Sequence, residues 1–187
     1  MRIIGGTRRG LKLAEVGAGD AAAHLRPTSD RVREAIFNLL INGTHGNPLP
    51  GARVLDLFAG TGALGLEALS RGAAHVTFVD DGKAAEALIR ANVAKLGAES
   101  ETRLLRQNAT RLGPNPGALH ALVFLDPPYG KGLGEAALAA AAAGGWLAPA
   151  AMVVCEDNIP PTPPPGFVQI DQRRYGDTLV TLMRAPG

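Results

Sequence analysis

Cysteine is almost absent, with Cys155 the single example in 187 residues. One thiol excludes an internal disulfide framework and leaves no Cys-x-x-Cys zinc pattern, so a reducing, cytoplasmic setting is expected. Cys155 sits in an apolar run and reads as a core residue. Histidine is scarce as well, and His24, His45, His75 and His120 stand at neither metal-ligand nor catalytic-triad spacing, so no metal is expected. No apolar stretch follows Met1-Arg2-Ile3-Ile4-Gly5-Gly6, which therefore does not read as a signal peptide. Residues 133–155 are apolar for a long way, but Gly144, Gly145 and Pro149 interrupt them. They read as a buried helix and a strand, with no membrane association. Excess charge is also missing: 19 Lys and Arg face 17 Asp and Glu, a net of +2. Internal repeats and a second-domain boundary are absent too.

What is present is a core-forming chain, 46% apolar, in which strand and helix patterns alternate. Strands are expected at 53–57, 75–79, 102–106, 121–125 and 151–156, and helices at 62–70, 83–96 and 133–143. Alternation of this kind implies a parallel sheet with helices on both faces. Pro160, Pro161, Pro163, Pro164 and Pro165 cannot build a central strand, so that segment is expected as a stiff surface loop. Phe167–Gln172 and Thr178–Met183, around Gly176-Asp177, read as a terminal antiparallel pair. The fold class is thus α/β, a mostly parallel seven-stranded sheet with a terminal antiparallel strand.

A small extension precedes the sheet. Arg2–Ile4 and Leu11–Leu13 flank Gly5-Gly6-Thr7-Arg8-Arg9-Gly10, which suggests a β-hairpin with a basic turn. Residues 14–24, rich in Ala and Gly, read as a mobile connection. Pro27-Thr28-Ser29 carries helix-start chemistry, and Val32, Ala35, Ile36, Leu39 and Leu40 form a helical stripe closed by Asn42-Gly43. Residues 1–34 hold Arg2, Arg8, Arg9, Lys12, Arg26, Arg31 and Arg33 against Glu15, Asp20, Asp30 and Glu34. Seven cations against four anions exceed the surplus of the whole chain, so positive charge is concentrated at this end.

The chain is organised around Val54-Leu55-Asp56-Leu57-Phe58-Ala59-Gly60-Thr61-Gly62, a strand running into a glycine-rich turn and then a helix. Gly60 and Gly62 are expected to let the backbone turn sharply and approach a ligand. With Gly65 they satisfy G-x-G-x-x-G, and Asp80 follows at about 20 residues, the spacing of a nucleotide site on a doubly wound sheet. Asp56 argues against a pyrophosphate, which a carboxylate before the turn would repel; it suits a cofactor bearing an ammonium group. The run resembles the S-adenosyl-L-methionine motif of class I methyltransferases. That resemblance implies that the glycines accommodate methionine and ribose, and that an acid after the second strand, here Asp80, holds the ribose hydroxyls. Asn108, after the third strand, is a candidate partner for the adenine amine, with a turn-forming role as the alternative.

A second constellation, Asp126-Pro127-Pro128-Tyr129, ends the strand at 121–125, at the edge where open α/β sheets bind ligands. Two prolines fix φ and remove two N–H donors. The segment offers a carboxylate, a carbonyl and an aromatic ring in a rigid arc, which suits a planar base with an exocyclic amine. Asp126 and the Pro127 carbonyl would accept its hydrogens while Tyr129 stacks on the ring. Lys131, just beyond, is a candidate phosphate contact.

Taken together, Met1–Gly6, the run Arg26-Pro27-Thr28-Ser29-Asp30-Arg31-Val32-Arg33-Glu34, the Asp56–Gly72 block and Asp126–Tyr129 make the sequence resemble the RsmD-type bacterial 16S rRNA guanine-N2 methyltransferases. The resemblance implies methylation of one guanine N2 in 16S rRNA, within the 30S subunit or an assembly intermediate. It also implies a basic hairpin that grips RNA through Arg8, Arg9 and Lys12, with Arg26 counted beside them. A single methyltransferase domain, 1–187, is then expected, with 1–50 as the RNA-binding extension and helix and 51–187 as the catalytic core; a monomer is expected. Two alternatives stay open: a DNA adenine-N6 methyltransferase, and a noncatalytic RNA-binding module of the same fold.

Overall fold

The computed structural model describes residues 1–15 and 29–187. Helix α1 (Asp30–Asn42) precedes an alternating series: β1 (Arg53–Leu57), α2 (Ala63–Ser70), β2 (His75–Asp80), α3 (Lys83–Leu96), β3 (Thr102–Arg106), β4 (His120–Leu125), α4 (Leu133–Ala143) and β5 (Leu147–Asp157). Strands β6 (Val168–Tyr175) and β7 (Thr178–Arg184) close the chain. The seven strands form one sheet in the order β3-β2-β1-β4-β5-β7-β6. Neighbours from β3 to β5 pair in parallel, and β7 runs antiparallel to both β5 and β6. The order reverses between β1 and β4, and that is the switch point at which such sheets open a ligand crevice.

Burial explains the strands. Val54, Leu55 and Leu57 on β1 and Leu122, Val123, Phe124 and Leu125 on β4 are buried, the near-continuous apolar pattern of a sheet covered on both faces. Two apolar cores result. One, holding Phe37, Leu66, Phe78 and Ile89, lies beneath α1, α2 and α3; the other, holding Leu138, Trp146 and Cys155, lies beneath α4. Cys155 is a core residue as expected. His120 is buried between the Trp146 carbonyl and the Thr77 hydroxyl, at 3.1 and 3.0 Å. Burial drives its pKa down to about 4, so it is a neutral packing residue.

Strand β5 starts earlier than expected, at Leu147, and takes in Pro149. The pairing with β4 slips between His120 and Leu122, and Ala150 has φ 56°, so the proline occupies an irregular stretch that needs no donor there. The proline-rich loop lies against α4, where the Thr162 N–H donates to Glu135 at 3.2 Å.

The N-terminal segment forms a hairpin turn with a single antiparallel bridge, Arg2 to Lys12. It lies along α2. The Ile4 and Gly5 N–H groups both donate to Glu67 at 2.8 Å, and Thr7 N–H reaches the Ser70 carbonyl at 2.7 Å. Ala14 is fastened by a two-way bond with the Asn92 side chain, so the expected mobile connection does not begin there. Its remaining positions from residue 16 onward, with Arg26, Pro27 and Thr28, lie outside the described residues.

Helix α1 begins at Ser29, whose hydroxyl accepts from the Val32 N–H at 3.2 Å. Its buried face is Arg33, Ile36, Phe37 and Leu40, rotated from the expected stripe so that Val32, Ala35 and Leu39 are only partly covered. The rotation follows from Arg33, fully buried, which donates to the Arg2 carbonyl and to Asp30 and lies 3.7 Å from the buried Glu67. Arg33 therefore leaves the surface charge to which the sequence assigned it.

Candidate active site

A cavity of about 1130 Å³ opens at the switch point. Its walls come from the carboxyl ends of four strands: Asp56 from β1, Asp80 from β2, Asp126 beyond β4 and Glu156 from β5. The first turn of α1 and the turn entering β7 complete the rim through Val32 and Thr178. Among the described residues, six carboxyl groups line it (Asp56, Asp80, Asp81, Asp126, Glu156 and Asp177) against one ammonium, Lys83. A pyrophosphate would meet that field unfavourably, and a cationic ligand favourably. The carboxyls do not converge: among the described residues no group of three or more His, Cys, Asp or Glu is placed to hold a metal ion.

Asp56 is 1% exposed, and its carboxylate accepts the Gly65 N–H at 2.9 Å. It thereby caps the third N–H of α2, a task that Gly62, lacking a side chain, cannot perform. Burial raises the Asp56 pKa to about 8, opposed by the Gly65 bond and reinforced by the nearby charge of Asp80. Gly65 has no room for a side chain, because a Cβ would lie 2.5 Å from Phe78 and 2.6 Å from Val76. It is the close-packing glycine of the helix against β2.

Asp80 holds the turn from the other side. Its two oxygens accept the N–H groups of Gly60 and Gly82, each at 2.9 Å. Burial raises its pKa, partly offset by those two bonds. Gly60 has φ 56° and stands on the cavity wall. Gly62 differs from expectation: its missing Cβ faces Phe78, Ile89 and Leu66 in the core, so it serves the turn (φ 77°) from behind the wall. Phe58, on the wall, was not foreseen; it carries φ 61°, a strained conformation for an aromatic residue and a common mark of functional turns.

At the end of the neighbouring strand β4, Asp126, Pro127, Pro128 and Tyr129 all line the same cavity. The Tyr129 hydroxyl donates to Glu156 at 3.1 Å, and because it has one hydrogen, the Thr178 hydroxyl 3.3 Å away donates to it. Burial first, with the neighbouring carboxylates adding, raises the Tyr129 pKa to about 12. Sequence reading missed Glu156 and Thr178, since a lone acid ending a strand and a threonine after a turn carry no motif.

The other expected residues fall elsewhere. Asn108 is exposed and off the cavity wall, its Oδ1 accepting from the Thr110 N–H and hydroxyl at 2.9 and 2.7 Å. Lys131 is exposed, two residues beyond Tyr129. Arg9 and Lys12 are exposed on the hairpin, whereas Arg8 pairs with Glu101 at 2.7 Å. The hairpin turn is held at the carboxyl end of α2, where the Thr7 N–H meets the Ser70 carbonyl and the Arg8 N–H meets the Ser70 hydroxyl, whereas the cavity lies at the amino end of that helix. Arg26 lies outside the described residues.

The sheet order and the cavity at its reversal define a class I methyltransferase. The sequence matches the family described as conserved hypothetical protein 95 over residues 1–184. Ribosomal RNA small subunit methyltransferase D of Escherichia coli K12 is 41% identical over 159 residues, spanning 85% of this chain and 75% of that protein. The same-named protein of Haemophilus influenzae is 36% identical over 159 residues, covering 83% and 78% respectively. A solved Escherichia coli structure titled "Putative methyltransferase yhhF" superposes with a TM-score of 0.82 at 35% identity, covering 100% of this chain and 98% of that one. The chain belongs to the RsmD family of methyltransferases.

Proposed function

We propose that the protein methylates the exocyclic N2 of one guanine in 16S rRNA, within assembled or assembling 30S particles, using S-adenosyl-L-methionine. One observation carries the reading: Asp126-Pro127-Pro128-Tyr129 lines the same acidic cavity as Asp56, Gly60 and Asp80. The cofactor fits that cavity by charge, since its ammonium and sulfonium groups are cations and the lining is carboxylate. Asp56 would hold the ammonium, Gly60 would let the backbone approach, and Asp80 would accept from the ribose hydroxyls through oxygens already oriented by Gly60 and Gly82. The adenine contact expected of Asn108 is not part of the reading, because Thr110 occupies its oxygen. When bound, the cofactor supplies an electrophilic methyl group.

The residues at the end of β4 prepare the nucleophile. An amine conjugated to a purine is weakly nucleophilic, and acceptors on its hydrogens orient its lone pair. Asp126 and the Pro127 carbonyl supply those acceptors, and Asp126 stabilises the positive charge that develops on nitrogen. Tyr129 stacks on the base. A base inside a folded RNA must leave its stack to enter such a cavity. The acidic lining keeps phosphates outside, so Arg9, Lys12 and Lys131 on the exterior are the proposed backbone contacts, with Arg8 contributing less because Glu101 pairs it. The test is to map methylated nucleotides in 16S rRNA from cells with and without the gene. Loss of one N2-methylguanine on deletion is expected; an unchanged map would overturn the reading.

A further inference from the structure

One cluster of charge has no part in the chemistry above. Asp56 and Asp80 lie toward the carboxyl ends of β1 and β2, at the cavity, whereas the amino ends of β1, β2 and β3 carry bases. Register brings three of them together. Arg53 pairs with His75 across the β1–β2 ladder, and Thr77 pairs with Arg103 across β2–β3. Paired residues share a face, as do His75 and Thr77, two apart on one strand, so Arg53, His75 and Arg103 project from the same face. It is the face beneath α4, because Leu55, Val79 and Leu105, further along the same rows, join the core of Leu138 and Trp146. The link from β3 to β4 carries a single 3₁₀ turn, Ala109–Arg111, and so offers no long helix to cover these strand ends. Arg103 is exposed there, and Arg53 and His75 are half-buried.

Among the described residues no carboxylate forms an ion pair with Arg53 or Arg103, and the enclosed Nε of Arg53 and Nε2 of His75 have no hydrogen-bond partner. Glu101, two residues before Arg103, is engaged by Arg8 at 2.7 Å. His75 registers the two guanidinium charges: burial first, then Arg53 and Arg103, hold its pKa below the ordinary value, so it is neutral at pH 7. The buried His120 nearby is neutral as well. Two cations set side by side without a counter-charge repel in the free protein and attract a phosphate placed between them. The hairpin names the partner. Its turn is held on Ser70, where α2 ends just before β2 begins at His75, and Arg8 reaches from it to Glu101, just before β3. The hairpin and the cluster therefore border the same amino-terminal edge of the sheet.

We propose that Arg53 and Arg103 clasp one backbone phosphate of the RNA substrate, extending the hairpin's contact around the amino-terminal edge of the sheet. The assignment rests on the rRNA reading above. It concerns grip and not the choice of base, since phosphate contacts position a nucleic acid without reading its sequence. It also gives a reason for unpaired arginines at the end of the sheet away from the cavity, where a ligand of the active site does not reach them.

The experiment compares the full-length wild type with Arg53→Met, Arg103→Ala and the double variant on 30S particles from cells lacking the gene. Binding is measured across a salt series. The double variant is expected to bind more weakly, with a salt slope shallower by about 0.7–0.9, the value for one phosphate. KM for the particle should rise with kcat unchanged, because the cavity lies at the other end of the strands. Each variant should melt at or above the wild-type temperature, since an unpaired like charge is gone; Arg103→Ala, at an exposed position, covers an Arg53 variant that fails to fold. Histidine NMR reads the cluster directly. Inorganic phosphate, against chloride at equal ionic strength, should raise the His75 pKa in the wild type and not in the double variant. Wild-type salt curves for the double variant would overturn the proposal, and a His75 shift beside them would mark a site for free anions only. A lowered kcat at unchanged KM, the sign of a structural role, would overturn it too. A wild type that binds no 30S particles would instead strike the rRNA reading itself.

Discussion

The Asp56 carboxylate and the Gly65 amide, 2.9 Å apart, join the cavity to the helix that forms it. One oxygen caps α2 while the residue itself lines the cavity, so a single side chain ties the helix to the cavity wall. Its position also makes it sensitive to protons. In the free protein burial raises its pKa to about 8, so at neutral pH the carboxyl is mainly protonated.

A cationic ligand favours the ionised form, so binding of S-adenosyl-L-methionine at pH 7 is expected to release a proton, and affinity should rise as pH approaches 8. Calorimetry in two buffers of different ionisation enthalpy measures the release, and Asp56→Asn should abolish it. Stability runs the other way. The folded pKa lies above the ordinary 3.8, so the contribution is full below about 4 and is lost as pH rises through about 8. Thermal melts of the ligand-free protein against Asp56→Asn check that slope.

Gly60→Val is expected to eliminate cofactor binding in a chain that still unfolds cooperatively. The change places a β-branched residue at φ 56° on the cavity wall. Titration calorimetry on the folded variant decides it, and wild-type affinity would remove Gly60 from the cofactor wall.

Asp126→Ala should lower kcat by about 10²–10³ while leaving cofactor affinity within a few-fold, because the missing acceptor acts mainly as charge builds on the amine. Single-turnover methylation with a parallel binding titration separates the two effects. Near-normal turnover would mean that other groups hold the amine.

Glu67 anchors the extension by accepting from Ile4 and Gly5 and from Arg71 at 2.7 Å, and it forms a buried ion pair with Arg33 at 3.7 Å. Glu67→Ala leaves the buried Arg33 guanidinium without its main counter-charge and is expected to cost about 3–5 kcal/mol in urea unfolding. A loss under about 1 kcal/mol, the scale of a solvent-exposed pair, would show that Asp30 suffices as the partner.

Replacing Arg8, Arg9 and Lys12 together by alanine should weaken binding to 30S particles and flatten its salt dependence, by up to about 0.7–0.9 in slope for each phosphate no longer neutralised. Arg9 and Lys12 should carry most of the change, since Arg8 is engaged by Glu101. Cofactor affinity should stay constant, the hairpin turn lying at the far end of α2. Identical salt curves for variant and wild type would reduce these cations to a solvated surface.

The strands and helices were legible in the sequence because their signals are local. Periodicity placed β1, α3, β3 and α4 at their observed bounds, and the strand–turn–helix around Gly60 and the rigid Asp126–Tyr129 arc are each encoded within a dozen residues. Tertiary structure alone decided what distant segments do to one another. It turned Arg33 inward, because two of the groups that compensate its buried guanidinium, Glu67 and the Arg2 carbonyl, come from segments remote in the chain. It set Gly62 behind the cavity wall and Gly60 on it, a distinction of direction that two glycines in one motif cannot express. It carried Asn108 off the wall, since a side chain that can bond its own turn does so at little cost in chain entropy. And it brought Glu156 beside Asp126 across the β4–β5 ladder, joining residues remote in the chain. Pairing of that kind depends on register between strands, and a single strand's sequence does not contain it.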